Sequence, residues 1–334
     1  MIVSRTPFRL SLFGGGTDYP RWYRQHGGKV LGMAIDKYCY ITIRHLPPFF
    51  EHRHRIVYSR IELVREVDEI IHPAVRAVFK EMGIFEGLEV HHDGDLPARS
   101  GLGSSSSFTC GLLNALYALQ GRMVTRQHLA EETIRIEQEV IGEAVGSQDQ
   151  IWAAYGGLNR IDFRPDGSFE VTPVIVPARR RQELERSLML FFTGLSRNAS
   201  EVAAKKIDNL DRRAAHLERM AAMVEEAQAI LQSGSRPLAD IGRLLHEGWM
   251  LKRELSEGVT TPHIDEIYEA AREAGAVGGK LLGAGGGGFM AFFVEPARRQ
   301  SVRNRLRHLI SVPFQISPGG SRIMLYEPTE LVER

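Results

Sequence analysis

Gly101-Leu102-Gly103-Ser104-Ser105-Ser106-Ser107 stands directly before an apolar helical run and is the segment best suited to chemistry. Glycine lets backbone amides approach an anion closely, and a helix N-terminus adds free N–H groups and a favourable dipole. Serine hydroxyls can donate to phosphate or ligate Mg²⁺. A capped helix after a loop is the plainer reading, but a cap needs one such residue and not four. Gly101, Leu102, Gly103, Ser104, Ser105 and Ser106 are therefore read as a phosphate cradle. A second cluster, Gly14-Gly15-Gly16-Thr17-Asp18, comes after a strand-like run. Glycine there permits a sharp turn with room for a ligand, and Thr17 and Asp18 can bind hydroxyls; an ordinary glycine turn is the alternative. The third cluster, residues 283–288, has the G-x-G-x-x-G spacing but the wrong surroundings. A dinucleotide fingerprint opens a helix, whereas Phe289-Met290-Ala291-Phe292-Phe293-Val294 reads as a strand. No G-x-x-x-x-G-K-[ST] occurs, so any nucleotide is held by a different device.

Two carboxylates stand out. Residues 125–144 read as one helix capped by Thr125. At about 100° per residue, Leu129, Ile136, Val140, Ile141 and Ala144 share a face. Glu137 falls on that face and Glu139 away from it. A buried carboxylate needs a partner, which is a magnesium ion or an arginine. Asp149, in Gln148-Asp149-Gln150 just past the helix end, is a candidate base that needs a cation to hold it ionised.

These groups need a scaffold. Residues 2–13, 38–44, 88–92, 188–193 and 289–294 read as strands. Residues 72–82, 125–144, 199–232, 237–255 and 264–274 read as helices, as does the run after Ser107. Strands mixed with helices over 334 residues predict a two-domain α+β protein, divided as residues 1–178 and 179–334. Lys plus Arg is 42 against 41 for Asp plus Glu, so the chain lacks the basic excess of a nucleic-acid binder. Arg179-Arg180-Arg181 reads as a solvated helix start. Cys39 and Cys110 have no zinc or redox spacing and read as small buried groups. No apolar run is long enough for a bilayer and no signal-peptide pattern opens the chain, so a cytoplasmic protein is expected.

The three clusters resemble the motifs of the GHMP kinase superfamily, in order and across nearly the whole chain. They are Pro7-Phe8-Arg9 through Gly14-Gly15-Gly16-Thr17-Asp18-Tyr19, Pro97 through Gly101-Leu102-Gly103-Ser104-Ser105, and Lys280 through Gly283-Ala284-Gly285 to Gly288-Phe289. Within it the chain looks most like the D-glycero-D-manno-heptose 7-phosphate kinases. The pointers are Phe13 through Asp18, Gln148-Asp149-Gln150, Tyr155-Gly156-Gly157-Leu158-Asn159, Phe192-Thr193-Gly194 with Arg197, and Trp249 with Lys252-Arg253. Galactokinase-like enzymes carry an acidic residue and a histidine where this chain has Gly15 and Gly16; fucokinase domains share the Gly-Gly turn. Arg99 stands where the family usually has a small residue.

The resemblance implies an N-terminal mixed-sheet α/β domain, a C-terminal ferredoxin-like domain, and ATP and a sugar phosphate in the cleft between them. Gly101, Gly103 and Ser104 would cradle the phosphates, with Ser105 and Glu137 on Mg²⁺. Asp149 would take the proton of a sugar hydroxyl, with Arg9 as its cation. Gly15, Gly16, Thr17 and Asp18 would hold the sugar, and Gly285 and Gly286 would close the cleft near the phosphates. Arg197, then Lys280, are the candidates for a sugar phosphate group. The implied reaction is phosphorylation of the anomeric hydroxyl of a heptose 7-phosphate, toward nucleotide-activated heptose. A fucokinase and a non-catalytic sensor on the same fold are the rivals; a homodimer is left open.

Overall fold

Residues 2–13 form a strand that is buried on both faces from Thr6 onward, polar Thr6, Arg9 and Ser11 included. The computed structural model describes residues 1–194, 207 and 209–328. In chain order the strands of the first sheet are β1 (Ile2–Phe13), β2 (Gly28–His45), β3 (His54–Val57), β4 (Ile61–Val64), β5 (Leu88–Gly94), β6 (Leu158–Phe163) and β7 (Phe169–Pro173). The second sheet has β8 (Leu188–Phe192), β9 (Ala276–Leu281), β10 (Phe289–Val294) and β11 (Ile310–Val312), and β12 (Arg322–Tyr326) returns to the first. The first sheet runs β12-β1-β2-β5-β3-β4, with β6 on the first half of β2 and β7 beyond it. The second runs β11-β8-β10-β9, antiparallel throughout. That order is the ferredoxin-like arrangement expected for the C-terminal domain.

The helices are α1 (Pro20–His26), α2 (Pro73–Glu81), α3 (Ser104–Leu119), α4 (Arg126–Arg135), α5 (Gln148–Tyr155), α6 (Ala178–Ser187), α7 (Ala214–Gln232), α8 (Ala239–Arg253), α9 (Pro262–Glu273) and α10 (Arg299–Arg305). Their starts are chemically legible. Thr125 caps α4 by accepting the His128 N–H at 3.1 Å, and Thr261 caps α9 ahead of Pro262. α3 and α5 pack on β1 and β2, where Trp152 is fully buried. A Cβ on Gly32 would lie 2.9 Å from the Trp152 ring, so β2 needs glycine there for α5 to seat.

Several expectations change. The helix expected over residues 125–144 ends at Arg135 and continues as a π-helical turn, Ile136–Val140. The wider turn rotates the residues at its end, so Val140 is exposed rather than on the apolar face. Asp149 is past the end of that helix, as expected, but it lies in the first turn of a further one, α5. β9 was hidden by Gly278-Gly279. A Cβ on Gly278 would sit 1.9 Å from the Gly242 carbonyl, so glycine is what lets α8 press onto β9. Arg180 is more than a solvated charge: it donates to the carbonyls of Ile230, Leu231 and Arg236 at the end of α7. The last strand crosses the expected division at residue 178, since β12 pairs with β1. Cys39 and Cys110 are buried and free, as expected. Among the described residues no helix is long and apolar enough to cross a membrane.

Gly278→Ala should therefore destabilise by about 1–3 kcal/mol, the range of an overpacked site, read as a lower denaturation midpoint. Gly234→Ala, where nothing lies within 4 Å, should leave the midpoint near wild type.

Candidate active site

Arg9 sits on β1 with its guanidinium buried, and it forks onto Asp149. Nε donates to Oδ1 and Nη2 to Oδ2, both at 2.7 Å. Nη1 donates to the Gly101 carbonyl at 2.5 Å, and the Arg9 N–H donates to the Leu102 carbonyl at 3.0 Å. One residue thus ties strand, carboxylate and glycine loop together. Bidentate pairing fixes the carboxylate plane. The Asp149 side chain keeps 24% of its surface exposed, against 5% for Arg9, so the carboxylate faces the cleft.

The glycine loop lies directly on this pair. Gly103 has φ +75°, and a Cβ on it would meet Arg9 Cγ at 3.2 Å and Asp149 Oδ2 at 3.4 Å. The left-handed backbone favours glycine, and the close approach leaves little room for a Cβ. The next four serines divide by direction. Ser104 and Ser105 line the cleft, while Ser107 is buried and donates to the Pro7 carbonyl at 2.9 Å. Ser106 also lines the cleft, but its hydroxyl turns inward and donates to Glu137 Oε2 at 2.8 Å. The third cluster meets the loop backbone to backbone. A Cβ on Gly283 would lie 2.6 Å from Gly101 Cα, one on Gly288 would lie 2.2 Å from the Ser100 carbonyl, and the Phe289 N–H donates to that carbonyl at 3.1 Å.

Glu137 is buried behind the serines. Its Oε2 accepts from Ser106 and, at 2.6 Å, from Gln150 Nε2; its Oε1 has no hydrogen-bond partner. Burial pushes its carboxyl up to about 8, against the pull of the Ser106 and Gln150 bonds, and nearby Glu143 adds to the rise. An orphaned carboxylate oxygen beside serine hydroxyls fits Mg²⁺, which binds through one or two carboxylates plus substrate phosphates.

On the other side of Asp149, Asp18 is buried at the cleft wall. The Gly16 N–H donates to its Oδ1 and Gln148 Nε2 to its Oδ2, each at 2.8 Å. Gly15 and Gly16 line the same wall. Two lysines from the second sheet's side reach in, both buried. Lys252 donates to the carbonyls of Leu281 and Gly283 at 2.7 and 2.6 Å, and Lys280 to that of Leu12 at 2.8 Å. A further wall is aromatic. His72 stacks on Phe108 at 4.5 Å between centroids, and His92 meets the Phe108 edge at 5.1 Å. Burial holds both imidazoles below their usual range, His72 to about 4, so both are neutral near pH 7. Together these walls enclose a cleft of about 890 Å³.

The family of GHMP kinases N terminal domains matches residues 69–157, and that of GHMP kinases C terminal domains matches residues 223–311. A D-glycero-alpha-D-manno-heptose 7-phosphate kinase of Campylobacter jejuni subsp. jejuni serotype O:2 is 30% identical, covering 92% of this chain and 93% of its own. The chain belongs to the GHMP kinase family. A bifunctional fucokinase/GDP-fucose pyrophosphorylase of Arabidopsis thaliana is 26% identical over 90% of this GHMP kinase and 30% of its own length. The crystal structure of a D-glycero-D-manno-heptose 1-phosphate kinase from Bacteriodes thetaiotaomicron shares the fold, with a TM-score of 0.79, 24% identity, and 97% and 99% of the two chains covered.

The structure of this GHMP kinase brings Arg9, Asp149, Gly101, Gly103, Ser104, Ser105, Gly15, Gly16 and Asp18 to one cleft. Leu102 is buried beneath the loop. Thr17 is not at the cleft: its buried hydroxyl donates to the carbonyls of Gly14 and Lys29 and accepts the Lys29 N–H, which fastens the turn. Gly285 and Gly286 are not at the glycine loop either. They pack on Val259, with the Gly286 N–H donating to its carbonyl at 3.0 Å, and Gly283 and Ala284 line the cleft in their place. Glu137 joins Ser106 rather than Ser105, because one residue along a helix start turns a side chain by about 100°. Arg197 lies outside the described residues. Sequence reasoning missed Gln148, Lys252, Glu143 and the aromatic wall as cleft residues. Gln148 was quoted only as a neighbour of Asp149, and Lys252 only as part of a motif.

Without nucleotide or metal, Glu137 should make this protein less stable as pH rises. Its folded pKa lies above the unfolded value, so the stability is present below about pH 4.5 and declines up to about pH 8. Denaturant midpoints measured across that window should fall with pH, and Glu137→Gln should flatten this part of the slope. An unchanged slope in the variant would assign the pH dependence to other groups.

Proposed function

We propose that this GHMP kinase transfers the γ-phosphate of ATP to the anomeric hydroxyl of D-glycero-D-manno-heptose 7-phosphate, giving the 1,7-bisphosphate. The observation that carries the reading is the Arg9–Asp149 pair beneath the glycine loop, with Asp149 open to the cleft and Asp18 beyond it. Phosphoryl transfer asks for positioning and charge neutralisation more than for covalent help. The N–H groups at the start of α3, with Gly101, Gly103, Ser104 and Ser105, receive the triphosphate, and the neutral aromatic wall of His72, His92 and Phe108 suits the base. Asp149 accepts the hydroxyl proton while Arg9 keeps its carboxylate in plane. Asp18, oriented by Gln148, accepts from ring hydroxyls, and the absence of side chains at Gly15 and Gly16 leaves room for the sugar. Glu137 with the neighbouring serines would hold Mg²⁺, which neutralises phosphate charge. The heptose assignment leans on the Campylobacter jejuni relative. The anomeric hydroxyl suits it chemically: it is the most acidic ring hydroxyl, and a cleft gripping the 7-phosphate presents the opposite end to ATP.

Asp149→Asn keeps the shape and removes the proton acceptor. It should lower kcat by about 10²–10⁴-fold with nucleotide affinity close to wild type; near-normal kcat would remove Asp149 from the chemistry. A panel of heptose 7-phosphate, free heptose, fucose and galactose, with NMR of the product, tests the substrate. The expected signature is turnover of the heptose phosphate with phosphorus coupled to the anomeric proton. Preference for fucose would favour the reading suggested by the fucokinase relatives, and coupling to another ring proton would overturn the anomeric assignment.

A further inference from the structure

Glu62 faces inward on a strand whose large apolar residues face out. β4 reads Ile61-Glu62-Leu63-Val64, and the register that pairs it with β3 leaves Glu62 6% exposed, against 67% for Ile61 and 56% for Leu63. Side chains alternate along a strand, so a slip of one residue would bury the two apolar groups and free the carboxylate. Hydrophobic burial favours that slip, and a buried carboxylate is costly unless its oxygens are satisfied. Three neutral donors satisfy them. Oε1 accepts the Tyr58 hydroxyl at 2.8 Å and the His72 N–H at 3.0 Å, and Oε2 accepts the Ile71 N–H at 2.5 Å.

All three donors belong to the cleft: Tyr58, Ile71 and His72 line it, and Glu62 stands behind them. His72 opens α2, stacks on Phe108 and meets the Tyr58 ring edge-on at 4.9 Å between centroids. Phe108 comes one turn along α3 from Ser104, so this wall starts where the serines of the glycine loop end. We propose that Glu62 is the positioning residue for the nucleoside end of the cleft. It touches no ligand. It ties the Tyr58 hydroxyl to the Ile71–His72 backbone, so that the rings of Tyr58, His72 and Phe108, from separate parts of the chain, hold one arrangement before a base arrives. A flat heteroaromatic base then stacks on a surface that is already ordered, and less freedom is lost on binding. The inverted burial of β4 follows from this: the strand exposes Ile61 and Leu63 because its inward position is taken by the carboxylate that fastens the wall.

This rests on the reading that the aromatic wall takes the nucleotide base, and titration calorimetry on the full chain separates the two. The probes are adenosine, Mg·AMP-PNP and magnesium tripolyphosphate. Glu62→Gln keeps the shape but turns an amide NH₂ toward donors that need an acceptor. It should weaken adenosine and Mg·AMP-PNP alike, by about tenfold, the loss expected for a hydrogen bond to a charged group, and leave tripolyphosphate unchanged. In steady state it should raise KM for ATP, with kcat and the KM for the sugar near wild type. Tyr58→Phe removes one hydroxyl, keeps the ring, and should weaken adenosine about two- to threefold. Leu63→Thr, on the outer face of the same strand, should bind all three probes as wild type does. Wild-type adenosine affinity in Glu62→Gln overturns the inference. A loss for tripolyphosphate equal to that for adenosine, or a Leu63→Thr variant as weak as Glu62→Gln, also overturns it, because either reports general damage to the fold. If Glu62→Gln does not fold, Tyr58→Phe decides alone, and unchanged adenosine binding in it overturns the inference. Phe108→Leu tests the reading beneath: adenosine binding that survives it intact puts the base elsewhere, and the positioning role falls too. Wild-type protein that binds Mg·AMP-PNP no better than tripolyphosphate has no base site, which defeats both.

Discussion

The structure turns on a single buried guanidinium. Arg9 commits its donors to Asp149, Gly101 and, through its backbone, Leu102. Taking a charge out of water is costly unless its partner geometry is good, and removing one partner of such a pair costs about 3–5 kcal/mol. That constraint reaches outward. Gly103 favours glycine where the loop lies on the pair, α5 must start where Asp149 can reach it, and β1 must be covered on both faces so that the guanidinium stays out of water. The geometry of the pair is thus set by a requirement of folding, and a change that loosens one loosens the other.

A second constraint concerns backbone touching backbone. Gly101 against Gly283 and Ser100 against Gly288 place the loop before α3 and the third glycine cluster in van der Waals contact with no side chain between. The N–H of Phe289 closes the joint on the Ser100 carbonyl. The two sheets therefore share a seam at the point where phosphates are expected. Side-chain seams can be repacked by substitution; a seam built only of main chain has no such latitude, because each added Cβ meets a carbonyl or a Cα.

Much of the site was legible in the sequence, and the failures have physical causes. The helical period placed Glu137 inward and Glu139 outward, as observed, because those residues come at or just past the end of the regular helix. The same period failed at Val140, where a π-helical turn adds a residue per turn that no composition signals. The three glycine clusters marked loops correctly, but glycine records that space is short without saying what fills it. Gly15 and Gly16 face the cleft, whereas Gly285 and Gly286 face Val259. A threonine hydroxyl carries the same ambiguity, and Thr17 uses its own to fasten the turn. β9 escaped because Gly278-Gly279 erase the alternation that identifies a strand. The aromatic wall escaped because His72, His92 and Phe108 come from separate parts of the chain, and only the fold brings them together.

The pairing of β12 with β1 has a consequence for how the chain is made. Ile2, Val3, Ser4 and Arg5 find their neighbours at Tyr326, Leu325, Ile323 and Arg322, so β1 waits for a strand that is made long after it. During synthesis one edge of β1 is bare, and it belongs to the strand that bears Arg9. An unpaired edge is a template for another chain, and pairing across so many residues is slow. The first sheet cannot be completed by vectorial, domain-by-domain folding. The β1 edge closes only once β12 has been made, and until then it stays open to other chains.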